Sequence, residues 1–283
     1  MRSCLIAILF VTNTCFGQNW MGEFSIGGAE YSGDLAPKGF TINRLRPAAG
    51  FNLKYESGDL VNFRTGVAWT ILTADDKDNK EPTTAIRNLS FTTHLFEWHA
   101  AFEFNILDPD LYTAYPYIFG GAGLFYFNPY SFDNDNKKVF LQPLSTEGQG
   151  LSEYPDRKKY SLLQVCVPFG AGIKWITKKK NQIAVEFGYR LCFTDYIDDV
   201  SKTYVDPELL STKISPKSAE MSYRKLGGSF SELGLPRGNS ANKDLYYFGS
   251  LKYSFYLKKP KPSDKKEEEK KPKAKKKKKS KKK

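Results

Sequence analysis

Residues 182–193 read QIAVEFGYRLCF. Apolar side chains occupy every second position of this stretch, and Glu186, Gly188 and Arg190 lie between them. A period of two residues is typical of a β-strand that has one apolar face and one polar face. The apolar face consists of Ile183, Val185, Phe187, Tyr189, Leu191 and Phe193.

The same alternation recurs in seven other stretches, whereas apolar residues at helical spacing are nearly absent. These stretches are 20–31, 46–56, 61–72, 89–106, 115–127, 161–176 and 245–257. Short connections (57–60, 107–114, 177–181) alternate with long polar ones (32–45, 73–88, 128–160, 194–244). An even strand number with this alternation of connections is typical of outer-membrane barrels. The sequence therefore predicts an all-β fold, an eight-stranded antiparallel up-and-down transmembrane β-barrel.

A secreted β-sandwich or lipocalin-like barrel is the soluble alternative, because periodicity does not tell which face points outward. The membrane is favoured by the asymmetry of the connections, by charges of both signs on the polar faces, and by aromatic residues near strand ends. The aromatic residues expected to form such a girdle are Trp20, Trp69, Tyr115, Tyr117, Trp175, Tyr253 and Phe255.

If the apolar faces meet lipid, the charged residues of the strands lie in the lumen. We expect them to pair with one another, because unpaired buried charges are costly and an eight-stranded barrel has little room for water. A proton or substrate path is the alternative. The residues concerned are Glu23, Arg46, Lys54, Arg64, Glu97, His99, Glu103, Lys174, Glu186, Arg190 and Lys252.

The two ends of the chain differ from its body. Residues 1–17, MRSCLIAILFVTNTCFG, predict a secretory signal peptide, with acylation of Cys15 as the alternative. Residues 258–283 contain 16 Lys and 4 acidic residues, and the whole chain has 43 basic and 31 acidic residues, so all excess positive charge lies in this tail. The predicted organisation is a signal peptide (1–17), a barrel (18–257) and a disordered Lys-rich tail (258–283).

The tail is the candidate partner-binding segment. On the periplasmic side it would meet anionic lipid, an acidic protein or a cell-wall polymer. A pI of about 9.3 would otherwise suggest nucleic acid, which we do not expect in that compartment. The lysines singled out are Lys258, Lys259, Lys261, Lys265, Lys266, Lys275, Lys276, Lys277, Lys278 and Lys279.

Residues with catalytic or metal-binding potential do not form a recognisable pattern. His94 and His99 are five positions apart on one predicted strand and so face opposite sides, and Glu97 and Glu103 are about 20 Å apart along it. We therefore expect no enzyme, no cofactor and no small-molecule substrate. The acidic runs 75–78 and 133–136 lack the glycine and distal Glu of a calcium loop and predict solvated loop tips.

Cys166 and Cys192 lie almost symmetrically about the short connection 177–181. This places them on adjacent strands and on the lumenal face. A cross-strand disulfide and two buried free thiols are both compatible with that position.

The segment Tyr189–Asp206, YRLCFTDYIDDVSKTYVD, resembles small outer-membrane barrels of the PorG-like family. Weaker matches are Gly33-Asp34-Leu35, Arg46-Pro47-Ala48, Arg87-Asn88-Leu89-Ser90-Phe91 and Arg237-Gly238-Asn239 followed by Lys243-Asp244-Leu245-Tyr246-Tyr247. The resemblance extends over nearly all of residues 20–257, and the Lys-rich tail is its main departure.

The resemblance implies a structural role and no catalysed reaction. Proteins of this family are thought to tie the periplasmic ring of PorK and PorN to the outer membrane, within the type IX protein secretion and gliding motility apparatus. We therefore expect an integral outer-membrane protein with periplasmic termini that acts as an anchor or scaffold. A stand-alone barrel that stabilises the envelope or binds a ligand through its outer loops is the alternative.

The TDY-DDVS segment is expected to organise the base of the fourth long loop. Its structural residues, together with the end of the preceding strand, are Arg190, Thr194, Asp195, Tyr196, Asp198, Asp199 and Ser201. Cation binding by Asp195, Asp198 and Asp199 is the alternative role of this segment.

Overall fold

The computed structural model of the protein describes residues 19–36, 44–58, 60–79, 82–227 and 230–258. The predicted signal peptide and residues 259–283 of the predicted tail lie outside the described residues.

The described residues form long strands and a few short elements. The strands are β1 (Trp20–Ser32), β2 (Arg46–Glu56), β3 (Val61–Asp75), β4 (Ser90–Asn105), β5 (Ala114–Tyr126), β6 (Tyr130–Phe132), β7 (Lys138–Phe140), β8 (Leu163–Ile176), β9 (Gln182–Cys192) and β10 (Leu245–Tyr256). The helices are α1 (Pro82–Arg87), α2 (Pro207–Lys213) and α3 (Pro216–Ser222), with 3₁₀ turns at Asp76–Asp78 and Gln142–Leu144.

Eight of the strands close into an antiparallel barrel, as the sequence predicts. Each of β1–β5 and β8–β10 pairs with two neighbours, and β1 joins β10 with Gly28 opposite Gly249. The ring therefore has no open edge, and every barrel strand has backbone partners on both sides.

The short connections gather at one end of the barrel and the long ones at the other. The long connections contain the β6–β7 hairpin and the three helices, which the strand alternation does not predict. The hairpin continues the sheet from β4, where Thr92 pairs with Tyr130. Asp206 and Ser215 cap α2 and α3 by accepting hydrogen bonds from Glu208 N and Ser218 N.

The barrel wall is apolar on the outside. Ile26 is 65% exposed, Val185 53% and Trp98 51%, and similar residues continue this surface round the ring. They include Phe24, Leu53, Val67, Phe96, Phe102, Ile118, Val165, Ile173 and Leu251. Exposed apolar area of this extent is unusual on a soluble monomer. Among the described residues, no helix is long and apolar enough to cross a membrane.

Three sequence-based assignments of side-chain direction are wrong. The sequence pattern assigns Tyr115 and Tyr117 to the outer girdle, but both are buried inside the barrel, because β5 has aromatic residues on both faces. It assigns Arg46 to the lumen, but Arg46 is exposed, because it is the first residue of β2 and lies at the rim.

An apolar core fills the barrel at the end of the long connections. The Tyr31 and Phe91 rings lie 4.8 Å apart there, and Ile197 and Val200 of the fourth long connection pack against the same cluster. This core separates the charged lumen from the folded loops above it.

Candidate functional site

Two sets of buried polar residues are candidate sites. One is the lumen. The other is the cap, which we define as the long connections 33–36, 44–45, 76–79, 82–89, 127–162, 193–227 and 230–244.

The lumen contains an ion-pair cluster centred on Arg64 and Glu186. The Arg64 guanidinium donates to Glu186 Oε2 at 2.5 Å, to Glu186 Oε1 at 3.1 Å and to Glu103 Oε1 at 2.8 Å. Lys252 Nζ lies 2.8 Å from Glu186 and 3.1 Å from Glu23, and Lys174 donates to Glu103. Side chains from six strands thus meet at one level of the barrel.

A second cluster, around Glu97, lies nearer the cap. Arg190 Nε donates to both Glu97 oxygens at 2.9 and 3.1 Å, and the Tyr246 hydroxyl donates to Glu97 at 2.8 Å. His99 Nδ1 lies 2.9 Å from Glu97 Oε1. Glu97 and Glu103 therefore belong to separate clusters, as their spacing along β4 predicts.

These clusters fill the lumen, so the expected network of mutual ion pairs is confirmed. A cavity beside Asn52, Arg64 and His99 has a volume of about 30 Å³. This is room for about one water molecule. The described lumen is therefore occupied by paired, buried side chains at the levels of both clusters.

Arg87 joins three segments of the cap. Its guanidinium forms a bidentate pair with Asp76, with distances of 2.7 and 2.6 Å. It also donates to the Arg237 carbonyl at 2.5 Å and to the Asp34 carbonyl at 2.9 Å. A planar donor fork is needed for this arrangement, which an ammonium group could not reproduce.

Glu147 is the acceptor at the centre of the cap. Its carboxylate receives the Ser201 N–H at 3.0 Å, the Lys202 N–H at 3.0 Å and Arg237 Nη1 at 3.1 Å. Arg237 also donates to the Asp199 carbonyl at 2.6 Å. The third and fourth long connections are thereby held together by a fully buried ion pair.

Asp198, Asp199 and Asp244 are three further buried carboxyl groups of the cap. The Tyr31 hydroxyl is 2.7 Å from both Asp198 Oδ2 and Asp244 Oδ1. Asp199 accepts hydrogen bonds from Thr146 at 2.5 Å and Tyr160 at 2.7 Å. Burial raises the pKa of Asp199 to about 6, even though Arg237 nearby opposes that shift.

Asp34 brings the first long connection into the cap. Its Oδ2 accepts the Asn239 N–H at 2.7 Å, and Gly238 lies so close that a Cβ there would be 2.4 Å from that oxygen. Asp34 and the Arg237-Gly238-Asn239 segment are therefore direct neighbours, although about 200 residues separate them.

Comparison with known sequences places the chain in a family. Residues 2–210 match the family described as a domain of unknown function, DUF6089. The chain belongs to this family. No curated protein matches it.

Small outer-membrane proteins are among the solved structures that are similar to this DUF6089 chain. Neisserial surface protein A is 9% identical, with a TM-score of 0.41 and coverage of 84% of this chain and 97% of that one. OprG from Pseudomonas aeruginosa is 11% identical, with a TM-score of 0.41 and coverage of 86% and 99%.

The motif residues chosen from the sequence of this DUF6089 protein fall in two places. Arg190 points into the lumen, whereas Thr194, Asp195, Tyr196, Asp198, Asp199 and Ser201 lie in the cap. The short segments of the PorG-like resemblance, except Arg46-Pro47-Ala48, converge there through Arg87, Asp34, Arg237 and Asp244. Within the described part of the chain, no three His, Cys, Asp or Glu side chains are arranged to hold a metal ion.

The two acidic runs predicted to be solvated tips are partly buried, so that prediction is wrong for Asp76 and Asp133. Asp76 is paired with Arg87 and also accepts the Leu89 N–H at 2.9 Å. Asp133 accepts a hydrogen bond from Lys217 at 2.8 Å. Both carboxylates tie loops together, a role that depends on distant partners and leaves no local sequence signal.

Cys166 and Cys192 are direct cross-strand partners, as their spacing predicts. Both are buried and both are free thiols. Of the predicted partner-binding lysines, Lys258 is described and exposed, just after the end of β10, and the others lie outside the described residues.

Proposed function

We propose that this protein is an integral outer-membrane barrel that serves as a non-enzymatic anchor or scaffold subunit of a type IX secretion and gliding apparatus. In this proposal its periplasmic side tethers the ring formed by PorK and PorN. The observation that carries the proposal is a closed barrel with an apolar exterior and a lumen filled by ion pairs.

The exterior supports insertion into a membrane. A closed barrel satisfies all strand backbone groups internally, and its apolar wall would be solvated by lipid acyl chains. The filled lumen argues against a pore, since about one water molecule fits beside Arg64. A barrel that inserts without conducting is suited to act through its two ends.

The connections support the proposed orientation. Outer-membrane barrels have short turns on the periplasmic side and longer loops outside. The ends of β1 and β10 that lead to the chain termini lie with the short turns, because Trp20 pairs with Tyr55 beside the first short connection and Met21 pairs with Tyr256. The Lys-rich tail would then reach the periplasm, where the ring proteins of the resembling family are found.

The tether is tested by co-purification. The full-length protein is tagged in its native host, mildly cross-linked and solubilised in detergent. A variant lacking 258–283 and a variant of equal length with the tail lysines changed to Gln serve as matched comparisons. We expect PorK and PorN with the full-length protein and their loss from both variants. Recovery of the barrel alone, under conditions that keep the ring intact, would contradict the proposal.

A stand-alone barrel that binds a ligand through its loops is the second candidate. It is favoured by four exposed apolar side chains of the cap, Ile86, Leu226, Leu233 and Leu235. Two results together would support this candidate over the scaffold. A deletion strain would secrete type IX cargo normally, and a strain in which these four residues are changed to Ser would lose a surface-binding phenotype.

A further inference from the structure

The Tyr31 hydroxyl makes two short contacts with carboxyl groups, but it has one proton. It lies 2.7 Å from Asp198 Oδ2 and 2.7 Å from Asp244 Oδ1. All three residues are at most 2% exposed, so water does not mediate these contacts. A phenol can donate to one of the two acceptors. The second contact therefore needs a proton on the other carboxyl group.

Backbone contacts identify the oxygens between which this proton is shared. The Val200 N–H donates to Asp198 Oδ1 at 2.9 Å, and the Ile197 N–H donates to Asp244 Oδ2 at 2.8 Å. The remaining oxygen of each carboxyl group is the one that faces Tyr31. The extra proton thus sits on Asp198 Oδ2 or Asp244 Oδ1 and is donated to the phenol oxygen.

The surroundings favour retention of this proton. Burial, followed by the neighbouring carboxyl group, raises the pKa of Asp198 well above its usual range, and burial does the same for Asp244. Three cations of the surrounding cap are engaged elsewhere, Arg87 with Asp76, Arg237 with Glu147 and Lys243 with the Ser240 carbonyl. The charged and titratable groups that act on these carboxyls or on their neighbours include Asp34, Arg87, Glu147, Tyr160, Cys192, Asp195, Asp199, Arg237 and Lys243.

We propose that Tyr31, Asp198 and Asp244 form a proton-binding site that locks the cap onto the barrel. The site joins the end of β1, the fourth long connection and the residue before β10. With the proton bound, the three groups form a continuous hydrogen-bonded chain. Without it, two carboxylates face one oxygen in a buried space, and their repulsion separates the 194–201 segment from β1.

Closing of this site is linked to proton uptake. A carboxyl group whose pKa is higher in the closed than in the open state favours closing at low pH and loses that contribution as pH rises through the closed-state pKa. For one linked proton, the protection of the closed segment falls by up to about tenfold per pH unit in that range. The lock is thus firm in acid and loosens in base.

Amide substitutions distinguish a shared proton from a hydrogen-bonded contact that does not titrate. In Asp244→Asn, the amide oxygen can still accept the Ile197 N–H, and the amide nitrogen can donate to Tyr31 permanently. Asp198→Asn can do the same with the Val200 N–H. Each single variant should therefore stay locked at high pH. In the double variant both amides donate to the phenol, whose own proton is left without an acceptor, so the lock weakens at every pH.

The experiment is hydrogen exchange of the 194–201 segment in the full-length, detergent-solubilised protein, at roughly pH 5 to 9 after correction for intrinsic exchange. We expect protection to fall with pH in the wild type and in Asp110→Asn, an exposed control at the opposite end, and to fall much less in both single variants. Heat-modified mobility on gels verifies that each barrel is folded.

Three results would overturn the proposal. They are wild-type protection that does not change with pH, single Asn variants that open as far as the double variant, and protection that depends on added calcium or on a chelator. The last result would mean that a bound cation, and not a proton, supplies the positive charge between the carboxylates.

Discussion

Replacing Arg64 and Glu186 together is expected to destabilise the barrel far less than replacing either one. Arg64 makes three hydrogen bonds, with Glu186 and Glu103, and both members of the main pair are at least 95% buried. Arg64→Met leaves one excess negative charge in this cluster, and Glu186→Leu leaves one excess positive charge. The double variant keeps a balanced set, in which Lys252 pairs with Glu23 and Lys174 with Glu103.

The magnitudes follow from the burial of these charges. Removing one partner of a buried ion pair costs about 3–5 kcal/mol, because the other charge stays desolvated. Replacing a whole pair by apolar side chains is often nearly neutral. The Tyr117 hydroxyl loses its acceptor on Glu186, which costs about 1 kcal/mol. We expect a double variant within about 2 kcal/mol of wild type and a coupling free energy of at least about 3 kcal/mol.

The assay is reversible urea unfolding of the barrel in lipid vesicles, followed by tryptophan fluorescence. The same cycle at the exposed pair Lys137 and Asp135, with side chains 74% and 69% exposed, is the matched control. Its coupling should be below about 1 kcal/mol. Additive effects of Arg64→Met and Glu186→Leu, or single variants as stable as wild type, would refute the view that this cluster is a closed network of buried charges.

Three further predictions concern the cap, and hydrogen exchange of its segments measures all of them. Arg87→Lys should lower the opening free energy by about 2–4 kcal/mol, because the bidentate pair with Asp76 and two carbonyl contacts are lost; unchanged protection would argue against this role. Gly238→Ala should open the cap, because its Cβ would lie 2.7 Å from the Ser201 backbone nitrogen and 2.4 Å from an Asp34 carboxylate oxygen, whereas Gly249→Ala, with no heavy atom within 4 Å, should not. Burial raises the pKa of Asp195 to about 7, so its contribution to the stability of the closed cap is lost as pH rises through that value. Asp195→Asn should therefore reduce the loss of cap protection with pH, and an identical pH profile in the variant would contradict this.

The barrel strands are predictable from the sequence because one physical constraint acts on every residue of a strand. Side chains alternate between lipid and lumen, so the alternation in a stretch such as 182–193 predicts both a strand and which residues lie on each of its faces. Tyr115 and Tyr117 escape this rule, because aromatic residues can serve either in the girdle or as packing inside a narrow lumen. At the rim of the barrel, alternation no longer determines whether a side chain is buried. Arg46 is exposed there, although its position in the alternation of β2 corresponds to the lumenal face.

The cap cannot be derived from local patterns in the same way. Its contacts join residues far apart in sequence, such as Tyr31 with Asp244 and Arg87 with Arg237. Periodicity along the sequence does not predict such long-range pairs. The short helices in these connections also have too few residues to show a helical repeat. The resemblance segments do mark the region, because several side chains that hold the cap together, among them Arg87, Arg237 and Asp244, lie in those segments.

The filled lumen and the folded cap together restrict where this protein can act. A channel needs a continuous path for water, whereas buried ion pairs occupy the barrel at the level of Arg64 and the cap at the level of Glu147. Transport through the described barrel would require both levels to open, at the cost of several desolvated charges. Binding of a partner at either end of the barrel requires neither of these levels to open. The proposed anchor role, which uses the ends of the barrel, would require no rearrangement of this interior.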